Sequence, residues 1–308
     1  MDSAAVILNP TAGPPRRRLD ARGAGELLRR EGFAVEVCLT QRRGEATELA
    51  ARAAERHPIV AAAGGDGTCR EVAIGLLQTG AALAVLPTGS GNDFARGLGI
   101  RDARAGAAAA GRRATRQLDV GYLAGRPFVN SAGLFLSGDV SRRAGRIPRQ
   151  AGPLRYVLGA LAAMLAQRPV RARWELDGEA EGRVGAWTLA ELGNGPLCGG
   201  GFRLTPGADP ADGLLDFCLV GPLSPGEMCG LFRAARRGTH LRHRQVSCPR
   251  AAGARLRLEE PAWIHLDGEP ELLAAGDHVV RLLAGRLRVL AGETSAALSA
   301  AQARGGAA

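Results

Sequence analysis

The sequence contains no lysine, and all of its 40 basic residues are arginine. A phosphate-binding P-loop of the GxxxxGK[ST] type requires a lysine and is therefore excluded. With 30 acidic residues the formal net charge is +10, which favours anionic partners such as a nucleotide or an acidic membrane surface. A compositional bias toward arginine, alanine and glycine explains the charge equally well. The arginines occur in scattered pairs without a long basic tail or interleaved aromatic residues, which argues against nucleic acid as a partner.

Other absences concern cysteine and histidine spacing, targeting segments and membrane spans. The six cysteines lack CxxC spacing and are too sparse for a disulfide framework, so we expect a reducing compartment. Several of them lie in apolar runs and are expected to be small core residues. The five histidines show no metal-ligand spacing, and we expect His240 and His243 on a solvated surface. The first ten residues lack the features of a signal peptide, and the longest apolar stretch, Tyr156–Ala166, is too short for a bilayer span. The sequence predicts a cytoplasmic protein.

The first third of the chain alternates apolar segments with segments of helical spacing. The predicted strands are residues 4–8, 34–40, 58–63 and 82–86. The predicted helices are residues 23–31, 45–56 and 69–78, and one that begins at Asp93. Residues 58–63 are apolar on both faces, as in a parallel sheet covered by helices. Residues 1–117 are therefore predicted to form an open α/β domain that binds ligands beyond the carboxyl ends of its strands.

Residues 118–292 show a different pattern, typical of a mainly antiparallel β-sandwich. A hairpin is predicted around Ala124 and Gly125, and residues 170–176 alternate with Val170, Ala172, Trp174 and Leu176 on one face. HVVRLL and RLRVL are predicted as separate strands divided by a glycine turn. Two helices interrupt the strands, one over residues 154–167 and one opened by a capping box at Ser224. We expect the apolar side of the first helix to pack against the sheet. The tail, residues 293–308, is predicted to be helical or frayed.

Three glycine-containing loops, NPTAG, GGDGT and PTGSGND, follow predicted strands. Backbone N–H groups in such loops attract phosphate, whereas Asp66 repels it, so the GGDGT loop requires a metal ion or a ligand hydroxyl. Asp66 and Asp93 could hold magnesium directly or through water. An ordinary strand-to-helix turn with Asp66 as the N-cap is the alternative for this loop taken alone. The dinucleotide-binding fingerprint is GxGxxG, and PTGSGND supplies only its first part, Gly89 and Gly91. Phe94, the next residue after this segment, stands where the third glycine would be.

In the absence of lysine, an arginine has to neutralise a phosphate group. The candidates near the glycine loops are Arg16, Arg17, Arg18 and Arg70. A solvated turn is the simpler interpretation of the run from Arg16 to Arg18.

The residues of these loops resemble the motifs of a known protein family. GGDGTCREV, with NPTAG upstream and PTGSGNDFAR downstream, resembles the diacylglycerol and sphingosine kinase family of ATP-dependent lipid kinases. CGGGFRLTPGADPADGLLDF (198–217) is similar to the glycine-rich segment and metal-binding turn of that family, and IHLDGEP (264–270) is similar to its catalytic loop. Arg70 departs from the usual asparagine, and VNSAGLFLSGDV matches only loosely. The resemblance implies an α/β nucleotide domain, a β-sandwich lipid domain and an active site in the cleft between them.

The resemblance also implies the roles of particular residues. It assigns contacts with ATP to Asn9, Pro10, Gly13, Thr40, Gly64, Gly65, Asp66, Gly67, Thr68, Glu71, Ser90, Gly91, Asn92 and Asp93. It assigns a structural Mg²⁺ to Asp209, Asp212 and Leu214. The proton acceptor falls on Glu269, with Asp267 beside it, and Asp66 completes the catalytic set. Without the resemblance, the Asp-Gly pair of IHLDGEP fits a plain hairpin turn equally well.

The sequence therefore predicts an ATP-dependent lipid kinase that converts diacylglycerol to phosphatidic acid in phospholipid biosynthesis. It predicts a lipid substrate reached by peripheral contact with an anionic membrane, and no nucleic acid. An NAD kinase, which also carries GGDGT, is the alternative enzyme. A catalytically weak lipid-binding or regulatory protein of the same fold is the alternative outside catalysis. A homodimer is left open.

Overall fold

The computed structural model describes residues 2–147 and 154–291, and these residues belong to two compact units. One unit comprises the residues up to Leu118 together with the end of the last strand, from Gly285 on. The other unit is Asp119–Ala284. The predicted tail, residues 293–308, lies outside the described residues.

The first unit is an open α/β sheet. Its strands are β1 (Ser3–Leu8), β2 (Ala34–Leu39), β3 (Ile59–Gly64) and β4 (Ala82–Pro87). Its helices are α1 (Ala21–Arg29), α2 (Glu45–Ala54), α3 (Asp66–Leu76), α4 (Asp93–Gly97) and α5 (Ala103–Gly111). The strands run parallel in the order β2-β1-β3-β4, which confirms the predicted parallel α/β sheet.

Burial and helix caps explain why these segments form these elements. Every residue of β3 and β4 is buried, as expected for strands covered by helices on both faces. The carboxylates of Asp20 and Asp102 accept backbone N–H groups at the starts of α1 and α5. The strand order reverses between β1 and β3, and open α/β sheets bind ligands at such a switch point.

The described residues of the second unit form two antiparallel sheets and three α-helices. Its strands are β5 (Thr115–Leu123), β6 (Arg126–Phe128), β7 (Ser131–Phe135), β8 (Val170–Leu176), β9 (Arg183–Trp187), β10 (Leu189–Gly193), β11 (Leu215–Val220), β12 (Val246–Ser247), β13 (Arg250–Ala251), β14 (Gly253–Leu258), β15 (Ala262–Leu266), β16 (Glu269–Leu273) and β17 (Gly276–Leu290). Its helices are α6 (Leu136–Arg146), α7 (Leu154–Ala166) and α8 (Pro225–Ala235). The first residues of β5 and the last residues of β17 belong to the first unit.

The two sheets of the second unit enclose a common core, which confirms the predicted sandwich. One sheet contains β17-β14-β8-β9 and the other contains β12-β11-β10-β7-β15-β16. Trp174 of β8 and Phe217 of β11 meet edge to face in this core, with ring centroids 6.0 Å apart. The predicted alternation of β8 is observed, because Ala172, Trp174 and Leu176 are buried. The predicted capping box of α8 is also present.

Two elements of the second unit differ from the sequence prediction. Helix α6 was not predicted, because its two internal glycines lower helix propensity. One of them, Gly138, lies so close to β15 that a Cβ atom would come within 2.1 Å of the carbonyl oxygen of Trp263. Strand β17 is continuous where two strands were predicted. Gly285, with φ +62°, marks the point where its partner changes from β14 to β4.

Helix α7 and His240 also contradict expectation. The small residues Gly159 and Ala163 are the buried side of α7, and Gly159 packs against Ala144 of α6. Four larger apolar residues are exposed instead: Val157 (53%), Leu158 (43%), Leu161 (52%) and Leu165 (90%). The prediction that these residues pack against the sheet is wrong. His240 is buried, with its Nε2 3.1 Å from the carbonyl oxygen of Leu204, so its predicted surface position is wrong as well. None of the described helices is long and apolar enough to span a membrane.

Candidate active site

The three glycine-containing loops of the first unit meet at the carboxyl ends of β1, β3 and β4. The N–H of Asn9 donates to the carbonyl of Ala63 at 3.0 Å, and the Asn9 amide donates to the hydroxyl of Thr68 at 3.2 Å. These bonds join the loop after β1 to the loop after β3. Asn92 adopts a left-handed conformation, and its amide donates to the carbonyl of Gly89, which closes the third loop. The structure thus brings together loops that the sequence only places after separate strands.

Glycine is required where these loops touch. Gly13 has φ +74°, and a Cβ atom there would lie 1.8 Å from the carbonyl oxygen of Thr88. A Cβ atom on Gly89 would lie 2.6 Å from the Cα atom of Gly65. The loops therefore pack backbone against backbone, and side chains at these positions would separate them.

Two acidic side chains, Asp66 and Asp93, lie next to each other at these loops. Asp66 is the first residue of α3 and its side chain does not cap the helix, so the prediction of Asp66 as an N-cap is wrong. Its carboxylate instead accepts the N–H of Phe94 at 3.2 Å. Burial raises the pKa of Asp66 to about 6, and the charge of Asp93 adds to the rise. Asp93 is itself buried, with Arg96 3.5 Å away. Two carboxylates that repel each other in this way favour a cation between them.

A cavity of about 300 Å³ opens beside the third loop. Three arginines line it, Arg17, Arg96 and Arg101, together with Ser90, Gly91 and Asn92. Arg17 was one of the arginines considered from the sequence, whereas Arg96 and Arg101 were missed. Arg96 is the last residue of the PTGSGNDFAR segment but was given no role there, and Arg101 lies outside every quoted motif.

The other residues predicted to contact ATP differ in position. Thr40 directly follows β2, and its N–H donates to the carbonyl of Leu8 at the end of β1, near the loops. Pro10 is exposed in the first loop, Gly64 ends β3, and Gly67 lies in the first turn of α3. The carboxylate of Glu71 instead accepts the N–H groups of Gly44 and Ala46, at 3.0 and 3.2 Å, and so caps α2. Its contact with a nucleotide stays a prediction.

In the second unit, Asp267 lies in the turn between β15 and β16, and Glu269 directly follows that turn. Asp267 has φ +51°, and its carboxylate accepts three backbone N–H groups, those of Val129, Asn130 and Ser131, at 2.8–3.0 Å. This arrangement anchors the turn to the start of β7. Glu269 is half-buried as the first residue of β16. The two carboxylates thus have different environments, and the sequence by itself gave no sign of this difference.

A buried polar cluster lies directly beneath this turn. The hydroxyl of Ser137 donates to Glu191 at 2.7 Å and lies 3.0 Å from Nε2 of His265. Glu191 is fully buried and His265 nearly so. Burial pulls the pKa of Glu191 upward, but His265 and the hydroxyls of Ser137 and Ser131 outweigh it and hold the pKa below its usual value. The sequence alone gives no sign that Ser137, Glu191 and His265 meet.

The residues predicted to bind a structural metal are held by protein groups. Asp209 accepts the N–H of Ala211 at 3.1 Å, and Asp212 accepts the N–H of Leu214 at 3.0 Å. The other oxygen of Asp212 forms an ion pair with Arg250. Within the described ranges, no group of three or more His, Cys, Asp or Glu side chains could hold a metal ion. Arg250 neutralises Asp212, and a metal ion held by Asp209, Asp212 and Leu214 stays a prediction.

Asp119, in the middle of β5, supports the same turn. Its carboxylate accepts the N–H of Gly213 at 2.8 Å, and its own N–H donates to the carbonyl of Pro210 at 2.7 Å. These two bonds hold the turn against β5.

Comparison with known families divides the chain at the start of the sandwich. The family described as "Diacylglycerol kinase catalytic domain" matches residues 3–123. The family described as "YegS C-terminal NAD kinase beta sandwich-like domain" matches residues 131–291.

Two relatives match over most of the chain. A "Diacylglycerol kinase" from Bacillus subtilis is 30% identical over 292 residues, which cover 91% of this chain and 93% of the relative. A protein from Pseudomonas syringae named "Probable lipid kinase YegS-like" is 32% identical over 255 residues, which cover 82% of each chain.

Two solved structures have a similar fold. The crystal structure of a diacylglycerol kinase from Bacillus anthracis matches with a TM-score of 0.72 and 21% identity, over 95% of this chain and 97% of that one. The crystal structure of an NAD kinase from Archaeoglobus fulgidus in complex with ATP matches with a TM-score of 0.56 and 14% identity, over 98% of both chains. At these identities the structures establish the fold alone.

Proposed function

Because the chain belongs to the family of diacylglycerol kinases and YegS-like lipid kinases, we propose that it transfers the γ-phosphoryl group of ATP to the hydroxyl of diacylglycerol. The observation that carries this proposal is the meeting of three glycine-containing loops at the switch point of the parallel sheet. Phosphoryl transfer depends mainly on positioning and on neutralisation of charge, and this site offers both.

In this proposal the triphosphate lies along the glycine loops, whose backbone N–H groups attract anions. The cavity beside the third loop contributes the positive charge of Arg17, Arg96 and Arg101. One guanidinium group can donate hydrogen bonds to two phosphate oxygens at once, and it stays charged. In this proposal the three arginines therefore take the role that lysine has in other kinases.

Magnesium enters this proposal with the nucleotide. Asp66 and Asp93 would hold it, because a cation between them removes the repulsion and the burial cost that raise the pKa of Asp66. The ion would neutralise charge on the phosphate oxygens. No step is assigned to a metal at Asp209 and Asp212.

Glu269 is proposed as the proton acceptor. As the lipid oxygen forms its bond to phosphorus and ADP departs, the hydroxyl proton passes to the Glu269 carboxylate. Asp267 is proposed to position the turn, because its oxygens already accept three backbone N–H groups.

The test offers several acceptors in parallel to the purified protein with radiolabelled ATP and magnesium: diacylglycerol, sphingosine, phosphatidylglycerol, ceramide and NAD. We expect label in phosphatidic acid, and none when Asp66 is changed to alanine. Label in NAD alone would support the NAD kinase alternative. Label in no acceptor, from a protein that still binds ATP, would support a catalytically weak lipid-binding protein.

The arginine cavity has its own test. Arg96→Ala and Arg101→Ala should each raise KM for ATP about tenfold, because each removes a charge-assisted contact with phosphate. Arg104→Ala is the matched control, since Arg104 is an exposed arginine on α5 outside the cavity. If Arg104→Ala raises KM for ATP by the same factor, the effect is due to net charge and not to the cavity.

We further propose that the enzyme contacts an anionic membrane in the cytoplasm through α7. Its exposed face is apolar, and the exposed arginines Arg146 and Arg168 lie near it along the chain. A helix with this pattern lies in the membrane interface, and each nearby arginine adds about 1 kcal/mol on an anionic surface.

Vesicle co-sedimentation tests this contact. Wild-type protein should bind phosphatidylglycerol vesicles more strongly than neutral ones, and salt should weaken the binding. Leu161→Asp and Leu165→Asp should each weaken it about tenfold, because each removes apolar area from the interface. Val184→Asp is the control, because Val184 is 70% exposed on β9, away from α7 in sequence. Equal loss in all three variants would contradict a contact through α7.

A further inference from the structure

The polar cluster of Ser137, Glu191 and His265 has a defined direction of hydrogen bonding. The backbone N–H of Gly268 donates to Nδ1 of His265 at 3.2 Å, so Nδ1 carries no proton. The ring proton is therefore on Nε2, from which it is donated to the hydroxyl of Ser137 at 3.0 Å. That hydroxyl donates in turn to Glu191 at 2.7 Å. A chain of three hydrogen bonds thus links the turn before Glu269 to a buried carboxylate.

The same cluster is not a hydrolytic triad. In such a triad the acid holds Nδ1 of the histidine, while the serine faces Nε2. Here the oxygens of Ser137 and Glu191 both lie on the Nε2 side, at 3.0 and 3.6 Å. Ser137 gives its proton to Glu191 rather than to the histidine, so the arrangement orients groups and does not activate a nucleophile.

The backbone around the cluster is strained to make room for it. Phe135, directly before α6, has φ +62° and ψ −117°, a conformation that is rare for a bulky residue. This conformation ends β7 and begins the helix that carries Ser137. A Cβ atom on Gly133 would lie 2.3–2.5 Å from polar atoms of all three cluster residues. Strain of this kind is typical of functional positions.

The turn is held from its other side as well. The carboxylate of Asp267 accepts the N–H of Ser131, and the N–H of Asp267 donates to the carbonyl of Ser131 at 2.8 Å. The hydroxyl of Ser131 contributes a further hydrogen bond to Glu191. Glu191 is therefore reached from both sides of the turn, through Ser131 and through His265.

We infer that Ser137, His265 and Glu191 are positioning residues that set the direction of the Glu269 carboxylate through the N–H of Gly268. This inference rests on the proposed function, in which Glu269 accepts the proton of the lipid hydroxyl. His265 touches neither substrate nor nucleotide in this role. Its acceptor atom, Nδ1, fixes the peptide plane between Asp267 and Gly268, one peptide before Glu269. Ser137 and Glu191 keep the ring in the tautomer that has this acceptor.

Two substitutions of His265 separate the acceptor from the donor. His265→Asn keeps an oxygen near the position of Nδ1 and can accept the N–H of Gly268. His265→Gln keeps an amide near the position of Nε2 and can donate to Ser137, but loses the acceptor. We expect His265→Gln to lower kcat by about 10- to 100-fold with KM for ATP unchanged, and His265→Asn to lower it less than about fivefold. Ser137→Ala should lower kcat about tenfold, because the ring loses its hydrogen-bond acceptor.

The matched control is His240→Gln. His240 is the other buried histidine in the described part of the second unit, and its Nε2 contacts Leu204, not the turn. Its substitution should lower stability without lowering kcat. If His240→Gln lowers kcat as much as His265→Gln, or if the Asn and Gln variants of His265 behave alike, the positioning role is refuted.

Hydrogen–deuterium exchange gives a readout that does not require activity. In His265→Gln the amides of residues 267–270 should exchange faster than in wild type, whereas His265→Asn should leave them protected. Unchanged exchange in His265→Gln would overturn the inference. If wild-type protein phosphorylates no lipid, the proposed function fails, and the exchange experiment still decides whether the cluster holds the turn.

Discussion

The substitution Asp66→Asn should stabilise the free protein at neutral pH while it abolishes catalysis. The pKa of Asp66 is raised from 3.8 to about 6 by burial and by the charge of Asp93. A carboxyl group with a raised pKa in the folded state favours folding fully below pH 3.8, and this contribution is lost as pH rises through about 6. Asparagine never ionises, so it avoids that loss.

The magnitude follows from the two pKa values. The difference between 3.8 and about 6 corresponds to about 3 kcal/mol at pH 8, at about 1.4 kcal/mol per pH unit. About 1 kcal/mol of this is already lost at pH 4.5. The stability advantage of asparagine should therefore grow by about 2 kcal/mol between pH 4.5 and pH 8. Loss of one acceptor oxygen costs about 1 kcal/mol at every pH and does not alter this growth.

The assay is urea unfolding at both pH values in EDTA, with hydrogen–deuterium exchange of peptides from residues 59–98 as the local readout. Asp20→Asn is the control: it changes an exposed helix N-cap and should alter stability by less than about 0.5 kcal/mol at either pH. Magnesium should then stabilise the wild type more than Asp66→Asn. A stability advantage that does not grow with pH would refute the argument, and an active Asp66→Asn variant would refute the role of the loop.

Three further outcomes are expected. Glu269→Gln should lower kcat by roughly 10²–10⁴ while ATP binding, measured by titration calorimetry, changes little; if Glu269→Gln keeps wild-type kcat and Asp267→Asn is inactive, the proton acceptor has been misassigned. Gly13→Ala should abolish ATP binding, because its Cβ atom would lie 1.8 Å from Thr88, and retained affinity would contradict the close approach of the loops. Ser224→Ala should lower the free energy of unfolding by about 1 kcal/mol, measured by urea unfolding, through loss of the capping box of α8, and no change would show that α8 unfolds separately.

Much of the fold follows from local patterns that survive in the structure. The all-apolar run at residues 58–63 indicated a strand covered on both faces, and β3 is buried throughout. Ala124 and Gly125, both at positive φ, form the predicted hairpin turn. Ser224 and Glu227 form the predicted capping box. Each of these signals lies within a few residues of the feature it predicts, because turns and caps are made by neighbours in the chain.

The sequence was less informative where a role depends on what a segment packs against. Helical spacing identified α7, but the exposure of its leucines was decided by Gly159, which packs against Ala144 of α6. The same spacing suits a helix packed through its large residues or through its small ones. Helix α6 itself has weak propensity and forms against β15, where Gly138 permits close contact.

The sequence alone determined the class of site: glycine loops after parallel strands, with acidic residues among them. Only the tertiary structure decided how Asp267 differs from Glu269, because the N–H groups that Asp267 accepts lie 136–138 residues away in the chain. Likewise, Ser137 is separated from Glu191 by 54 residues and from His265 by 128. No local period encodes partners at such distances. They meet because β7, β10 and β15 pair side by side, and that pairing is a property of the folded sheet.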